Sequence, residues 1–353
     1  MVDDLEKILR ELSDVYDFDS SDSYVSLYIN KKSNKKFLDR RIKACKTILK
    51  GEDLKNFLNT INDIEEKIRD NTAIFASHKN NFQKQISLPI ELENLLVVDS
   101  SPYIRPLARI HDEYESFTLV LVSSNYAKIF SISLGKLDDT KQLSKDIMNK
   151  HKKGGCSQAR FNRLRRGAIK AFLSEVVEEL QERADDRIVV AGPGIEKNHF
   201  IDMLPKALKD KIVDVIDVNV EDEGKLLKQS FNLISEKEKE RSSEAVQHLK
   251  EEILRDGLAV YGLNETLEAV KNGQVELLII EKNYKPRGWI CEHCQVVEEG
   301  ISNTCPYCGN KTSEVDILEE ILEFAERTDA EIEFTDDEGI SDLGHVGGIL
   351  RFR

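Results

Sequence analysis

The sequence predicts a protein of mixed α/β and α+β class that is built from several domains. The chain has 353 residues, of which 40% are hydrophobic and 33% are charged, and this is more than a single hydrophobic core usually organises. Strand-like runs alternate with helical patterns in the middle of the chain, which favours a layered α/β arrangement. Two Cys-x-x-Cys pairs near the C-terminus indicate a small metal-binding insertion. We expect three domains, at residues 1–114, 115–247 and 248–353.

The first predicted domain is a compact α+β unit. After an amphipathic N-terminal helix, the segment "SYVSLYIN" (residues 23–30) is rich in β-branched and aromatic residues and predicts a strand. The runs "TAIFA" (72–76) and "LLVVD" (95–99) predict two more, and the charged "HDEYES" (111–116) indicates the end of the domain. Between the first two strands, apolar residues at helical spacing predict a helix with one buried face: Leu54, Phe57, Leu58, Ile61, Ile64 and Ile68.

The second predicted domain opens with "FTLVLVSSNYAKIFSISLG" (117–135), two strands joined by a polar turn. "RIVVAGPG" (187–194) predicts a buried strand that ends in a tight turn, and "KIVDVIDVNV" (211–220) predicts another strand. A phosphate-binding role for the glycines of this turn is the alternative, but no Walker or dinucleotide pattern surrounds them. Between the strands of 117–135 and the strand of 187–194, a helix is expected to bury one stripe of apolar residues: Phe161, Leu164, Ala168, Phe172, Val176 and Leu180.

A long polar helix (223–257) leads into the third predicted domain. There we expect Asn264 to cap a helix that Gly273 ends. "QVELLIIEKN" (274–283) predicts a strand, "VDILEEILEFAERT" (315–328) a helix, and "AEIEF" and "GGILRFR" predict the last two strands.

Four cysteines between the third domain's first strand and second helix form two Cys-x-x-Cys pairs: Cys291, Cys294, Cys305 and Cys308. Each pair suits a turn that directs two thiolates at one ion, and four sulfurs close a tetrahedral site without leaving a position for water. A structural zinc ion is therefore the expected cofactor. Four reduced thiols and an iron–sulfur centre are the alternatives. His293 lies inside the first pair, and we expect it to face solvent.

A basic segment interrupts an otherwise acidic chain. The formal net charge is −14, yet no Asp or Glu occurs from Ile147 to Ser174. Overall acidity argues against a general nucleic-acid coat, but a local basic face is compatible with one RNA contact. A surface loop followed by a basic helix is the purely structural interpretation. The candidate RNA-binding residues are Lys150, Lys152, Lys153, Arg160, Arg163, Arg165 and Arg166.

The same sequence has no apolar run of about 20 residues, and its first residues are acidic and amphipathic. We therefore expect a cytoplasmic monomer that does not associate with membranes.

The stretch "KKGGCSQARFNRLRR" (152–166) closely resembles the loop and helix of class-I peptide chain release factors of the eukaryotic and archaeal type. In that family Gly-Gly-Gln-Ser is followed by Arg-Phe and a basic helix. The resemblance continues through "VVAGPG", "GLNETLEAVKNGQVELLII" and "GGILRFR", in the family's order, and the cysteine pairs lie where archaeal members carry theirs. It extends over roughly residues 117–353.

The resemblance implies a three-domain release-factor-like architecture, with zinc held by an insertion in a C-terminal α/β/α domain. Residues 1–114 would be a degenerate codon-reading domain. Residues 115–247 would be a central RNase H-like domain whose basic Gly-Gly loop enters the peptidyl transferase centre. Residues 248–353 would resemble the ribosomal proteins that bind kink-turns. The implied partners are the large ribosomal subunit and peptidyl-tRNA, with a translational GTPase or a subunit-splitting ATPase.

The chain departs from the family pattern at two places. Gly154 and Gly155 are followed by Cys156 instead of glutamine, and the N-terminal domain lacks clear decoding motifs, with "NKKS" (30–33) too early and "LVV" (96–98) where Tyr-x-Cys is expected. The run from Gly155 to Gln158 fits the Gly-x-x-Gln variant of the release-factor-like branch that acts on peptidyl-tRNA in ribosome quality control. Codon-independent ribosome rescue is the function that this match implies.

The candidate catalytic residues are Gly154, Gly155, Ser157 and Gln158, with Gln158 positioning water or the terminal ribose. Either the ester or the acceptor end of the tRNA would be cleaved. Cys156 is a weaker candidate for a nucleophile, because no pairing with a base is evident apart from the nearby His151. A non-catalytic Pelota-like ribosome-binding adaptor and a stop-codon-dependent termination factor are the alternative functions.

Overall fold

A computed structural model describes residues 2–31, 35–114, 116–147, 156–218, 223–291, 293–294 and 296–353. The chain forms two compact units. The first joins Met1–Glu113 with Glu238–Arg353, and the second is Tyr114–Lys237. Among the described helices, none combines the length and apolarity that crossing a bilayer requires. The division into three domains stays a prediction.

The N-terminal part of the first unit is an antiparallel sheet flanked by helices. Its strands have the order β3-β2-β1-β4, and strand alternation directs Val25, Leu27 and Ile29 of β1 into a core shared with Phe57 and Ile64 of α3. This confirms the three predicted strands and the predicted helix. The elements are α1 (Val2–Ser13), β1 (Tyr24–Ile29), α2 (Lys35–Ile48), α3 (Gly51–Glu65), β2 (Thr72–Ser77), β3 (Phe82–Ser87), β4 (Leu95–Asp99) and α4 (Arg105–Glu113).

The second unit is a five-stranded sheet with helices on both faces. Its strand order is β7-β6-β5-β8-β9, in which β5, β8 and β9 are parallel and β5, β6 and β7 are antiparallel. The elements are β5 (Phe117–Val122), β6 (Tyr126–Ser133), β7 (Lys136–Ser144), α5 (Cys156–Arg183), β8 (Ile188–Gly192), α6 (Glu196–Met203), α7 (Lys206–Lys209), β9 (Ile212–Asp217) and the first part of α8 (Glu223–Leu254).

Two hydrophobic cores lie on opposite faces of this sheet. On one face, Val120 and Val122 pack with Phe172 and Val176 of α5 and with Phe200 of α6. On the other, Phe117, Leu119 and Leu121 pack with Leu226 and Ile234 of α8. The predicted layered α/β arrangement is therefore present.

The glycine-rich turn at the end of β8 allows β8 to lie close to β5. A Cβ on Gly192 would lie 2.0 Å from the carbonyl oxygen of Val122, so a larger residue would push β8 away from β5. The buried Lys197 side chain donates a hydrogen bond of 3.0 Å to the carbonyl oxygen of Gly194 and pairs with Asp217 at the end of β9. These contacts agree with the tight turn expected from the sequence.

The C-terminal part of the first unit contains two sheets, one of order β10-β16-β11-β15 and a small antiparallel one of order β13-β12-β14. The elements that follow α8 are β10 (Ala259–Tyr261), α9 (Leu263–Lys271), β11 (Val275–Glu281), β12 (Arg287–Cys291), β13 (Val296–Glu299), β14 (Ser313–Asp316), α10 (Ile317–Arg327), β15 (Glu331–Thr335), a 3₁₀ helix (Glu338–Leu343) and β16 (Val346–Leu350).

Of the two residues expected to end α9, Asn264 was predicted wrongly and Gly273 correctly. Asn264 is not the N-cap, because the helix starts at Leu263 and the preceding Gly262 makes no side-chain cap. Gly273 does end the helix. Its φ of +67° is the left-handed conformation that glycine favours, and its N–H donates to the carbonyl oxygen of Val270 at 3.0 Å.

Helix α10 joins the two parts of the first unit through buried carboxylates. Asp316, which caps α10 by accepting the N–H of Leu318 at 3.2 Å, forms an ion pair of 2.7 Å with Arg105. The buried carboxylate of Glu319 accepts the backbone N–H groups of Ile104 and Arg105, the second at 3.0 Å. The N-terminal and C-terminal segments are thus connected by directional hydrogen bonds.

The next turn of α10 repeats this pattern. Glu323 accepts the hydroxyl of Ser101 at 2.5 Å and pairs with Arg327 at 2.9 Å, while Arg327 also donates to the carbonyl oxygen of Ser13 at 2.5 Å. Burial raises the pKa of both Glu319 and Glu323 well above the usual range of a glutamate. Burial, together with the nearby Glu6, raises the pKa of Glu326 to about 7.

Replacing Arg105 with alanine is expected to destabilise the first unit by about 3–5 kcal/mol, because it leaves the partly buried carboxylate of Asp316 without its ion-pair partner. Arg109→Ala is the matched control, since the i,i+4 pair of Arg109 with Glu113 is more exposed and contributes about 0.5 kcal/mol or less. Urea unfolding followed by fluorescence measures both, because the chain's single tryptophan, Trp289, is buried in this unit. Equal losses in the two variants would contradict the prediction.

Glu326→Gln is expected to weaken the dependence of stability on pH. The raised pKa of Glu326 means that the folded protein binds a proton between about pH 4.5 and 7 that the unfolded chain releases, so stability falls as the pH rises through this range. The substitution should stabilise the protein at pH 8 by up to about 3 kcal/mol and change it little at pH 4. Urea midpoints at the two pH values test this, with the exposed Glu265→Gln as control. Equal effects of Glu326→Gln at both values would disprove it.

Candidate functional site

The structure places six of the candidate site residues on the first turns of α5. The helix begins at Cys156, with Ser157 as its second residue and Gln158 as its third. The side chain of Gln158 is partly buried, and Arg160, Arg163 and Arg166 are exposed. Arg165 lies on the same turns. Five other candidates, Lys150, Lys152, Lys153, Gly154 and Gly155, lie outside the described residues.

Among the described side chains of α5, those of the later turns pack against the sheet. Ile169, Phe172, Leu173, Val176, Val177 and Leu180 are buried, and this is the i, i+3, i+4 pattern of a helix with one core-facing side. Phe161 and Leu164, which we expected on the buried stripe, are instead 39% and 53% exposed. The reason is geometric. Each i, i+4 step rotates the side-chain direction by about 40° around the helix axis, so residues chosen at that spacing gradually leave the core-facing side.

The charge on α5 is divided along its length. Its first turn contains no acidic residue, and the first carboxylate on the helix is Glu175, which pairs with Lys145. Further along, Glu179 pairs with Lys141 at 3.3 Å and with Arg183 at 2.5 Å. All four acidic residues of α5 therefore lie in its core-packed half, where Glu175 and Glu179 form ion pairs, and the arginines lie on its first turns near Gln158.

The four cysteines of the small sheet come together. Their sulfur atoms all lie within 4.8 Å of one another, with 3.4 Å between Cys291 and Cys308 and 3.5 Å between Cys294 and Cys305. Four sulfurs at about 2.3 Å from one tetrahedral ion are separated by about 3.8 Å. The cluster can therefore hold a metal ion, and a four-sulfur set leaves no position open for catalysis.

Strand ends and one turn build the cluster. Cys291 ends β12 and packs with Cys305 against the buried ring of Trp289. Around the second pair, Gly309 has a φ of +75°, which allows its N–H to donate to the carbonyl oxygen of Cys305 at 2.9 Å. The Asn310 N–H lowers the pKa of Cys308 to about 6, so this thiol ionises readily. His293 is exposed and lies outside the sulfur group, as expected.

Two contributors, one to this surface and one to this cluster, were not predicted from the sequence. Asn310 acts on Cys308 through its backbone N–H and through an amide contact of 3.5 Å, and the "CGN" turn after the second pair is the local signal for it. The exposure of Phe161 had a weaker signal, namely the arginines on both sides of it in the sequence.

Two family models match the chain. "Bacterial archaeo-eukaryotic release factor family 10" matches residues 102–231, and "eRF1 domain 3" matches residues 239–353. The first match contains α5 and the second contains the cysteine cluster.

Curated relatives include two archaeal proteins named peptide chain release factor subunit 1. The protein of Methanopyrus kandleri is 34% identical over 195 residues, which cover 52% of this chain and 47% of the relative. That of Methanocaldococcus jannaschii is 30% identical over 269 residues, which cover 66% of this chain and 64% of the relative. The chain thus spans about half of the first relative's length and under two thirds of the second's.

Solved structures that align with the chain include an archaeal translation termination factor, with a TM-score of 0.28, 18% identity and coverage of 99% of this chain and 98% of the other. Pelota of Archaeoglobus fulgidus aligns with a TM-score of 0.33 and 14% identity, over 100% of this chain and 93% of the other.

The family matches cover α5 with its sheet and the C-terminal segment with its cysteine cluster, and the archaeal relatives align over much of the chain. Over these segments the chain is therefore similar to the archaeal and eukaryotic class-I release factors, and it is release-factor-like.

Proposed function

We propose that this protein releases nascent chains from peptidyl-tRNA held in the large ribosomal subunit, without reading a codon. The observation that carries the proposal is the composition of the first turns of α5, where Gln158 is followed by four arginines on helical turns that do not pack into the core. A helix of this kind can enter a space lined by RNA while its later turns stay anchored in the sheet.

Gln158 supplies the chemistry in this proposal. Its amide carbonyl accepts a hydrogen bond from water, and its N–H groups donate to a hydroxyl of the terminal ribose. The water oxygen bonds to the ester carbonyl carbon, the bond from that carbon to the ribose oxygen breaks, and the water proton ends on the ribose oxygen. Orientation of the two reactants provides most of the expected acceleration.

Backbone groups would stabilise the charge that develops on the ester carbonyl oxygen. The first N–H groups of α5, at Cys156 and the residues after it, have no acceptor one turn earlier in the helix, and such donors stabilise an oxyanion. For Gly154 and Gly155 the proposed role rests on sequence alone, because a residue without a side chain allows another molecule to approach the backbone closely.

The arginines would hold the RNA without selecting its sequence, since phosphate contacts position a partner and carry no base information. Ribosome binding, and a translational GTPase or subunit-splitting ATPase as a further partner, belong to the same proposal. A Pelota-like adaptor without catalysis is the second candidate, and the observation in its favour is Cys156, which stands where the family's glutamine is expected.

For the cysteine cluster we propose one structural zinc ion, bound by Cys291, Cys294, Cys305 and Cys308. The sulfur separations fit a tetrahedral ion. Zinc would there fix the small sheet, and it has no part in cleavage.

Gln158→Ala is expected to abolish peptide release, whereas Cys156→Ser should retain most of it, because Gln158 and not the thiol orients the water. The assay uses isolated large subunits that carry peptidyl-tRNA, so that no codon is present, and it follows both released peptide and the tRNA 3′ end. Gln158→Glu provides a near-isosteric control for the loss of the amide donors.

Three outcomes separate the candidates. Loss of activity only in Cys156→Ser would assign the thiol as the nucleophile. Activity in neither the wild-type protein nor any variant, with binding to the large subunit intact, would favour the adaptor. Release only from ribosomes programmed with a stop codon would show that the N-terminal domain reads codons.

Metal analysis of the purified protein is expected to give one zinc per chain, and Cys305→Ser should lower this value at least tenfold because three sulfurs leave the tetrahedral site incomplete. Cys45→Ser is the matched control, since Cys45 is a buried cysteine in the N-terminal core, away from the cluster. Absence of zinc in the wild-type protein, or equal zinc in both variants, would refute the assignment.

A further inference from the structure

A cleft lies between helix α9 and strand β13 in the C-terminal part of the first unit. Its volume is about 800 Å³. Helix α9 contributes four residues at positions i, i+3, i+4 and i+7, which share one face of the helix: Asn264, Leu267, Glu268 and Lys271. The other wall is formed by β13 and the residue after it: Val297, Glu298, Glu299 and Gly300.

Strand β13 has one unpaired edge. In the small sheet it pairs with β12, and none of the other described strands pairs with it. The N–H of Gly300 donates to the carbonyl oxygen of Arg287 at 3.0 Å, and successive residues of an antiparallel strand alternate in whether their backbone groups point at the paired neighbour. The N–H and C=O groups of Val297 and Glu299 therefore point to the unpaired edge, and both residues line the cleft.

We propose that this cleft binds an extended basic peptide of a partner protein, which adds a strand to the unpaired edge of β13. The main chain of the peptide pairs with the backbone groups of Val297 and Glu299, because such an edge is a template for another chain. An apolar side chain of the peptide packs on the buried side chains of Leu267 and Val297, and a lysine or arginine beside it contacts Glu268 and Glu299. The interaction is separate from the proposed release of nascent chains.

Charge identifies the peptide as basic. Three carboxylates line the cleft, those of Glu268, Glu298 and Glu299, and they face one ammonium group, that of Lys271. The Lys271 ammonium lies 5.4 Å from the centre of the Phe324 ring, which already provides it with a favourable contact. The walls of the cleft are therefore negative on balance and attract a cationic side chain.

A metal ion and a nucleic acid fit these residues less well. Among the described residues, the four cysteines are the only group of three or more potential ligands close enough together to hold one ion, so the glutamates of the cleft do not form a second metal site. Carboxylates repel the phosphates of a nucleic acid. A peptide matches both features of the cleft, because its main chain pairs with a strand edge and its alternate side chains suit apolar and acidic surroundings.

The binding test uses three fluorescein-labelled peptides of equal length and the full chain. The first peptide alternates lysine and valine, the second alternates glutamate and valine, and the third is the first with all its backbone nitrogens methylated. At about 0.15 M salt, where distant charges are largely screened, the first should bind with a Kd below about 1 mM. The second should bind about 10-fold more weakly because of its charge, and the third at least about 5-fold more weakly because it lacks the N–H donors.

Glu299→Gln is expected to weaken binding of the lysine–valine peptide about 2- to 5-fold, because it removes one exposed carboxylate. Glu299→Pro is expected to weaken binding by a further factor of about 2 to 12, because proline also removes the N–H at the unpaired edge. A sheet tolerates proline at such an edge, and an unchanged melting temperature reports that the variant is folded.

Glu268→Lys should weaken binding of the same peptide about 5-fold or more, because the reversal replaces an attraction by a repulsion. Glu276→Lys is the matched control and should bind as the wild-type protein does. Glu276 is an exposed glutamate of β11 in the same unit and does not line the cleft.

Four results would overturn the proposal. Absence of binding by the wild-type protein below about 1 mM would reject the site, and equal losses in Glu268→Lys and Glu276→Lys would assign the binding to the general acidity of the chain. Equal binding of the methylated peptide would show recognition of a polycation by charge alone. A loss in Glu299→Pro no greater than that in Glu299→Gln would reject pairing with β13. Peptide binding by a protein that releases no nascent chain would support this inference and reject the proposed function.

Discussion

The buried carboxylate of Glu319 is the contact on which the first unit depends. Helix α4 has an apolar residue, Ile104, before its first turn and no acidic residue in that turn, so its own sequence cannot accept its first N–H groups. Glu319, more than 200 positions later in the chain, accepts two of them. A buried carboxyl group requires such partners, and because each donor has a fixed direction, the two segments are held in one register that apolar contacts alone would not define.

The position of Glu319 is set in turn by the small sheet that carries the cysteines. Asp316 ends β14 opposite Arg287 of β12, and α10 begins at the next residue. A Cβ on Gly288 would lie 2.2 Å from a side-chain carbon of Ile317, so β12 and the start of α10 are in close contact only because this residue is glycine. The cysteine cluster lies at the end of the same strand. Whatever fixes the cluster therefore also fixes the first turn of α10 and, through it, Asp316 and Glu319.

The elements that the sequence predicts well are those with a strong local pattern. Apolar and β-branched residues predict the strands β1, β2, β5, β8 and β11. The spacing of the paired cysteines likewise predicts the cysteine cluster. β3 and β7 were not predicted because "FQKQIS" and "KLDDTKQLS" are mostly polar and each has only two apolar residues. Each of these strands pairs with one neighbouring strand. The burial of Glu319 and Glu323 in α10 likewise has no local signal, because it depends on contacts with Ile104 and Ser101, more than 200 positions away. No local pattern encodes a contact of that range.

For the candidate site on α5, the residue types are evident in the sequence, whereas the exposure of their side chains is evident only in the structure. Gln158 lies eleven residues before Ile169, the first fully buried residue of α5, and at about 1.5 Å per residue this is a distance of about 16 Å along the helix. The turns that carry the candidate residues are therefore separated from the turns that stabilise the unit, and a substitution in the former has little access to the core. Under the proposed function, the acidity of the remaining chain would repel RNA from the rest of the surface. The arginines of these turns would then determine where RNA binds at least as much as how tightly it binds.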